Sequence, residues 1–164
     1  MRILGLTLCL GLFAVPSAAK VKVGIDVTVA DNGIKSELKS GLAATFNSTD
    51  RYATTESVIE TDIVLDVVCV PMKMRNYNLG IICSSEGFYY PFKSIALSHH
   101  LPGAGSIMSG DNEDLQRMIK DFANNLIKAT TDDKLAEYKK SLMTSVQLLC
   151  VSEPGICRPP LPKQ

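Results

Sequence analysis

An excess of charge of one sign is missing from this chain. Across 164 residues, 17 lysines and arginines meet 17 aspartates and glutamates. A near-neutral surface offers no electrostatic footprint for nucleic acid and none for an anionic membrane. Histidine is scarce too, with His99 and His100 the only two. Neighbours on a regular strand point to opposite faces, so this pair cannot grip one ion together. His99 shares the parity of Ile95, Leu97 and Leu101 and is expected at the edge of the core, with His100 facing outward. No cysteine pair has the close spacing of a zinc site. The G-x-S-x-G turn of serine hydrolases is absent, and Ser84 and Ser85 have no evident base. Gly103–Gly110 opens onto a helix, but it lacks the Gly-Lys-Ser/Thr of a P-loop and the setting of a dinucleotide fingerprint. Asp111, Glu113 and Asp114 crowd the helix start and would repel a phosphate. We read the stretch as a loop. No metal, cofactor or catalytic residue is assigned, and the chain is read as a non-enzyme.

What is present begins with an address. Arg2 supplies a positive n-region, and Ile3–Val15 is apolar but too short to span a bilayer. Pro16-Ser17-Ala18-Ala19 then offers the small residues that a signal peptidase reads. Residues 1–19 are expected to be a signal peptide cleaved before Lys20. Cys9 is not read as a lipid-attachment site, because Leu8 stands where a small residue is needed. Removing 19 of 164 residues leaves 145, enough for one core. A single domain is expected over 20–150, with a Pro-rich tail over 151–164. Losing Arg2 leaves 16 basic against 17 acidic side chains, a formal charge of −1. The 46% hydrophobic content argues against disorder.

Four cysteines remain, Cys69, Cys83, Cys150 and Cys157, and an even number in an exported chain reads as two disulfides. Residues 63–71 and 79–85 look like the arms of a hairpin turning near Asn76. Cys69 and Cys83 then oppose each other closely enough to bridge. Of the possible connectivities, Cys69–Cys83 with Cys150–Cys157 is preferred.

Val21, Val23, Ile25, Val27 and Val29 alternate with other residues, the period of a half-buried strand. Asp31 is placed to cap a helix in which Ile34, Leu38, Leu42 and Phe46 recur every four residues. Asn47-Ser48-Thr49 ends that helix and also spells a glycosylation sequon. A weaker strand is expected at Tyr52–Val58. Ile63–Val70 gives the strongest strand signal, apolar enough to predict cover on both faces or nearly so. Leu79–Ser85 returns antiparallel, and Ser94–Leu101 makes another strand. A second helix is expected from the capping sequence at 109–114, with Leu115, Met118, Ile119, Phe122 and Leu126 on one face. A third carries Leu135, Tyr138, Leu142, Val146 and Leu149. Alternating βαβα winding is not evident, so the expected class is α+β, a mainly antiparallel sheet with helices packed on one face.

The segment Glu60-Thr61-Asp62-Ile63-Val64-Leu65-Asp66-Val67 resembles that of small bacterial exported proteins with a strand–helix–strands–helix domain. In many of these an Ala-Asp pair leads into an apolar central strand, and here Thr61 takes the place of the Ala. The resemblance covers roughly residues 20–130. It implies an envelope role in assembly or binding and carries over no catalytic residue.

Phe88, Tyr89, Tyr90 and Phe92 form the candidate binding surface, because four aromatics in five positions cannot all turn inward, and tyrosine suits a half-wet interface. The expected function is an exported, non-enzymatic binding or assembly module, periplasmic or secreted. Its partner would be a protein or glycan, not nucleic acid, and no stable membrane insertion follows signal cleavage. The alternatives are a small secreted hydrolase using His99 or His100 with an acid such as Asp66, and a secreted effector or inhibitor. Asp26 reads as an exposed strand position, while Asp66 on the central strand is harder to place.

Overall fold

The computed structural model describes residues 19–75, 77–91, 98–111 and 113–152. Residues 1–18 of the expected signal peptide, Phe92, and Cys157 with most of the tail lie outside them. The Cys150–Cys157 bridge therefore lies outside them as well.

The chain order is β1 (Val21–Thr28), α1 (Asn32–Asn47), β2 (Tyr52–Thr54), β3 (Ile63–Met74), β4 (Tyr77–Tyr89), β5 (His99–His100), β6 (Ser106–Gly110), α2 (Leu115–Ala129) and α3 (Asp132–Ser152). The class is α+β. The six strands form one sheet in the order β2-β1-β3-β4-β5, with β6 also paired to β4.

The sheet is mixed rather than mainly antiparallel. Both β2 and β3 run parallel to β1, and the antiparallel half is built on β4. The cause is α1. Asp31 Oδ1 accepts from the Gly33 and Ile34 amides at 2.8 and 3.0 Å, which starts the helix as expected. Leu38, Leu42 and Phe46 are buried on the side where β1 buries Val23 and Val27. A helix crossing the sheet on one side returns the chain to the starting end, so the next strand must run parallel. A β1-α1-β2 crossover is therefore present, although no βαβ repeat was evident in the sequence.

Side-chain and backbone bonds hold this crossover. The Asn47 amide donates to Thr54 Oγ1 and its oxygen accepts from the Thr54 amide, both at 2.9 Å. Tyr52 is buried, with its hydroxyl 2.8 Å from Thr130 Oγ1. Arg51 donates to the Thr130 carbonyl at 2.6 Å and pairs with Asp132 at 2.7 Å, tying β2 to the junction of α2 and α3. The expected strand at 52–58 stops at Thr54 because residues 55–62 must carry the chain across β1 to reach β3.

The helices cover one face of the sheet only. In α2, Met118, Ile119, Phe122 and Leu126 are buried as expected. In α1, Gly41 lets the backbone come close to Ile119, where a Cβ would lie 2.6 Å from Ile119 Cδ1. On β3 the buried residues are Ile63, Leu65, Val67 and Cys69, whereas Val68 and Val70 are 40% and 54% exposed. Among the described residues the apolar run 63–70 is thus not covered on both sides, and its second face is open.

Two boundaries differ from expectation in the region after β5. Residues 106–110 of the supposed glycine loop form β6, paired antiparallel with Ile81–Ser85. Tertiary pairing recruits a segment whose glycines and serines alone argue for a loop. The second helix begins at Leu115, because Asp111 Oδ1 accepts from the Glu113 and Asp114 amides in a turn that precedes it. The strand expected over 94–101 is described only at His99–His100.

Cys69 and Cys83 are direct cross-strand partners and form a disulfide across 14 residues of chain. Such bonds persist in oxidising compartments rather than in a reducing cytosol. No described helix is long and apolar enough to cross a membrane.

Replacing Cys69 and Cys83 together by Ala should cost about 3 kcal/mol, the chain-entropy value for a loop of about 15 residues. Denaturant titration measures it, and mass spectrometry of unreduced peptides checks the pairing. Gly80 faces the register shift at Met72/Lys73 with φ 119°, and a side chain there would strike the Gly110 carbonyl. Gly80→Ala should therefore destabilise by about 2–4 kcal/mol through strain and crowding in the same assay.

Candidate functional site

The β3–β4 register arranges the uncovered face of the sheet into rows. Gly24, Val64, Phe88 and His100 are successive cross-strand partners from β1 to β5. Two residues further along β3 lie Asp26, Asp66 and Glu86, partnered in the same way. Next come Thr28, Val68, Ser84 and Ile107, then Val70, Ile82 and Ser109. A line of three carboxylates therefore separates an aromatic end from an aliphatic end. Strand alternation puts all of these side chains on one side.

At the aromatic end, the Phe88 and His100 rings meet edge to face with centroids 5.7 Å apart. Tyr90 has the same parity as Phe88, and its amide donates to the Asp62 carbonyl at 2.7 Å. Burial raises the Tyr90 phenol above its ordinary range, and the Asp66 charge raises it further. Tyr89 points the other way and packs against the core beneath the helices. Its phenol is raised first by burial and then by Asp62. Phe88 and Tyr90 thus share the open face, Tyr89 does not, and Phe92 lies outside the described residues.

The histidines separate as their parity predicts. His100 is exposed on the open face, whereas His99 is half-buried and stacks on Tyr138 of α3 at 4.7 Å.

The carboxylate row is the feature that sequence reading missed. Like charges directly opposed across strands are destabilising. The Asp66 carboxyl is raised above the usual carboxylate value by burial first, then by Asp26 and by Glu86. The Asp66–Glu86 half of the row was within reach of the sequence. Any hairpin register that opposes Cys69 and Cys83 also opposes residues 66 and 86. Asp26 was not, since its place depends on the parallel pairing of β1 with β3. Among the described residues no group of three His, Cys, Asp or Glu side chains is disposed to hold a metal ion.

The loop from β2 to β3 borders the β1 side of this face. Thr61 packs its side chain on Gly24, where a Cβ would lie 3.2 Å away, and its hydroxyl donates to the Ser57 carbonyl at 2.8 Å. The next residue, Asp62, accepts from the Lys22 amide at 2.8 Å. The Thr-Asp pair thus locks the entry of the central strand against β1. Between loop and sheet lies an open cleft of about 260 Å³, whose lining includes Asp26, Val58, Thr61 and Val64. Val58 in its lining is 70% exposed.

No protein-family model matches the chain, and no curated protein sequence does. Solved structures similar to it include two bacterial proteins. One is a hypothetical protein of Chlamydia trachomatis, at 10% identity and a TM-score of 0.43, covering 66% of this chain and 96% of that one. The other is a Helicobacter pylori protein described as a homolog of the neuraminyllactose-binding hemagglutinin. It has 14% identity and a TM-score of 0.35, covering 77% of this chain and 90% of that one. Likenesses this distant carry no argument about function.

A carboxyl with a raised value in the folded state is a cost to folding at neutral pH. That cost vanishes once the pH is low enough to protonate Asp66 in both states. Asp66→Asn should accordingly raise Tm at pH 7 by roughly 1–3 °C, since repulsion between partly exposed charges is worth under about 1 kcal/mol. The advantage should shrink as the pH falls through the ordinary carboxylate range. Thermal melts of both proteins across pH 3–8 check the sign.

Proposed function

We propose that the protein is an exported, non-enzymatic binding or assembly module of the bacterial envelope, periplasmic or secreted, and that it engages a protein or glycan partner through the open face. One observation carries this reading. A sheet face with exposed Val68, Val70 and Ile107, half-buried Phe88 and a row of three acids is left without a covering layer among the described residues. Exposed apolar surface rimmed by polar groups marks interaction sites in soluble proteins. The leader read at residues 1–19 and the Cys69–Cys83 disulfide support a place outside the cytosol.

The hydrolase alternative has less support. His100 and Asp66 share the open face, yet two strands and two residues separate them, roughly 12 Å by strand geometry. A general base works within about 3 Å of the proton that it takes. His99 points to the helix side, away from Asp66.

Affinity capture from an envelope fraction should recover a defined partner. Phe88→Ala with Tyr90→Ala should lower recovery at least about tenfold, as loss of two interface aromatics would, while the far-UV spectrum stays unchanged. Undiminished recovery overturns the role given to the aromatic end.

A further inference from the structure

The sheet ends in two edges, and they are built differently. β2 forms one of them. Its pairing turns the Arg51 carbonyl and the Thr55 amide toward β1, so the amides of Tyr52 and Thr54 point outward. Both are taken: Tyr52 donates to Thr49 Oγ1 at 3.3 Å, and Thr54 donates to Asn47 Oδ1 at 2.9 Å. The C-terminal end of α1 thus closes this edge to a further strand.

β4 has β3 on one side and β5 and β6 in line on the other, so β6 lies on the opposite edge. Ser106–Gly110 is five residues, an ordinary strand length. Every second amide and carbonyl along it faces away from β4. Among the described residues no group is bonded to that outer row. Edge strands are usually blunted by a lysine, a proline, a bulge or a covering element. The sequence SIMSG has no charge and no proline, and its register with Ile81–Ser85 runs unbroken.

A row of alternating amides and carbonyls is matched by another extended main chain. The turn after β6 indicates which chain fits. Asp111 follows the strand directly, and its Oδ1 accepts from the Glu113 and Asp114 amides. Asp114 pairs with Arg117 at 2.9 Å, whereas Asp111 and Glu113 are exposed and make no ion pair among the described residues. A second copy does not answer these acids. Laid antiparallel about Met108, it sets Gly105 opposite Asp111, and Leu101–Ser106 holds no charge. Laid parallel in register, it sets acid beside acid. A strand with a basic N-terminal end does answer them, since an antiparallel strand begins where β6 ends.

We infer that the outer edge of β6 docks an extended segment of another protein, which adds a strand antiparallel to Ser106–Gly110 and sets basic residues at its N-terminal end beside Asp111 and Glu113. Its side chains alternate between the helical side and the open face, where they lie beside Ile107 and Ser109. The inference goes beyond the open-face reading to the main chain at its margin and does not depend on Phe88 or Tyr90.

Two end-capped peptides of one composition test it. In the first, two lysines precede an alternating run of threonine and valine; in the second they follow it. Added to the isotope-labelled exported chain, the first should shift the β6 amide resonances saturably and slow hydrogen exchange at every second one. The second should bind at least about fivefold more weakly, because its lysines lie away from the acids. Asp111→Asn with Glu113→Gln should remove that difference. Asn keeps the Oδ1 acceptor of the turn, and an unchanged melt checks the fold. Methylating one alternate set of peptide amides should abolish binding, and methylating the other should not, because only every second amide faces a given neighbour. Peptides that leave β6 unshifted, bind equally in either order, keep their preference in the double variant or tolerate both methylated sets overturn the inference. So do β6 shifts that grow with protein concentration alone, which mark a second copy as the occupant. Capture through Phe88 and Tyr90 is read separately, so a silent β6 overturns the edge assignment and leaves the open-face reading standing.

Discussion

The register between β3 and β4 decides which side chains of this protein are buried and which meet solvent. Side chains alternate along a strand, so a slip of one residue would exchange the two faces of one arm of the hairpin. Either Ile63, Leu65, Val67 and Cys69 would then leave the core as Asp66 entered it, or Ile81 and Cys83 would leave it as Glu86 entered. The Cys69–Cys83 bond holds the register from within the sheet. Burial of the odd-numbered residues of β3 under α1 and α2 holds it from above. β1, β5 and β6 all pair with one arm or the other, and their faces inherit the choice.

The remaining packing serves to keep a single helical layer on one side of that sheet. Gly41 brings α1 and α2 together, and Arg51 and Tyr52 fasten the end of α2 to β2 through Thr130. Among the described residues nothing comparable is built on the other side. The Thr61–Gly24 contact reaches only the β1 margin. A sheet with one solvated face is ordinary when that face is polar. Here it carries aliphatic and aromatic groups around three aligned acids, a combination that weakens the isolated domain. Local choices that cost stability without a structural return concentrate where a protein interacts.

Much of the fold was legible in the sequence. The period of two at 21–29, the Asp31 cap, and the four-residue spacing of Leu38, Leu42 and Phe46 all correspond to the structure. So do the hairpin and its disulfide, and the buried stripe of α2. These are local signals, each set by backbone geometry over a few residues. The misreadings share a different character. β6 is a strand because β4 offers it an edge, and β2 is parallel because α1 crosses the sheet. Neither fact leaves a trace within the segment itself. The open face was misjudged for a related reason, since Val64, Val68 and Val70 look the same in a sequence whether a layer covers them or not.

By itself, the sequence determined the alternation of faces, the helix stripes and the pairing of Cys69 with Cys83. Periodicity and chain connectivity leave little choice there. It also determined that Glu86 must oppose Asp66, because a hairpin register is a single number. Only the tertiary structure decided that Asp26 completes the row and that Tyr89 turns to the core while Phe88 and Tyr90 do not. Those outcomes depend on which strands become neighbours and on where the helical layer ends. Contacts between distant segments settle both, and their energies become visible only once the chain has folded.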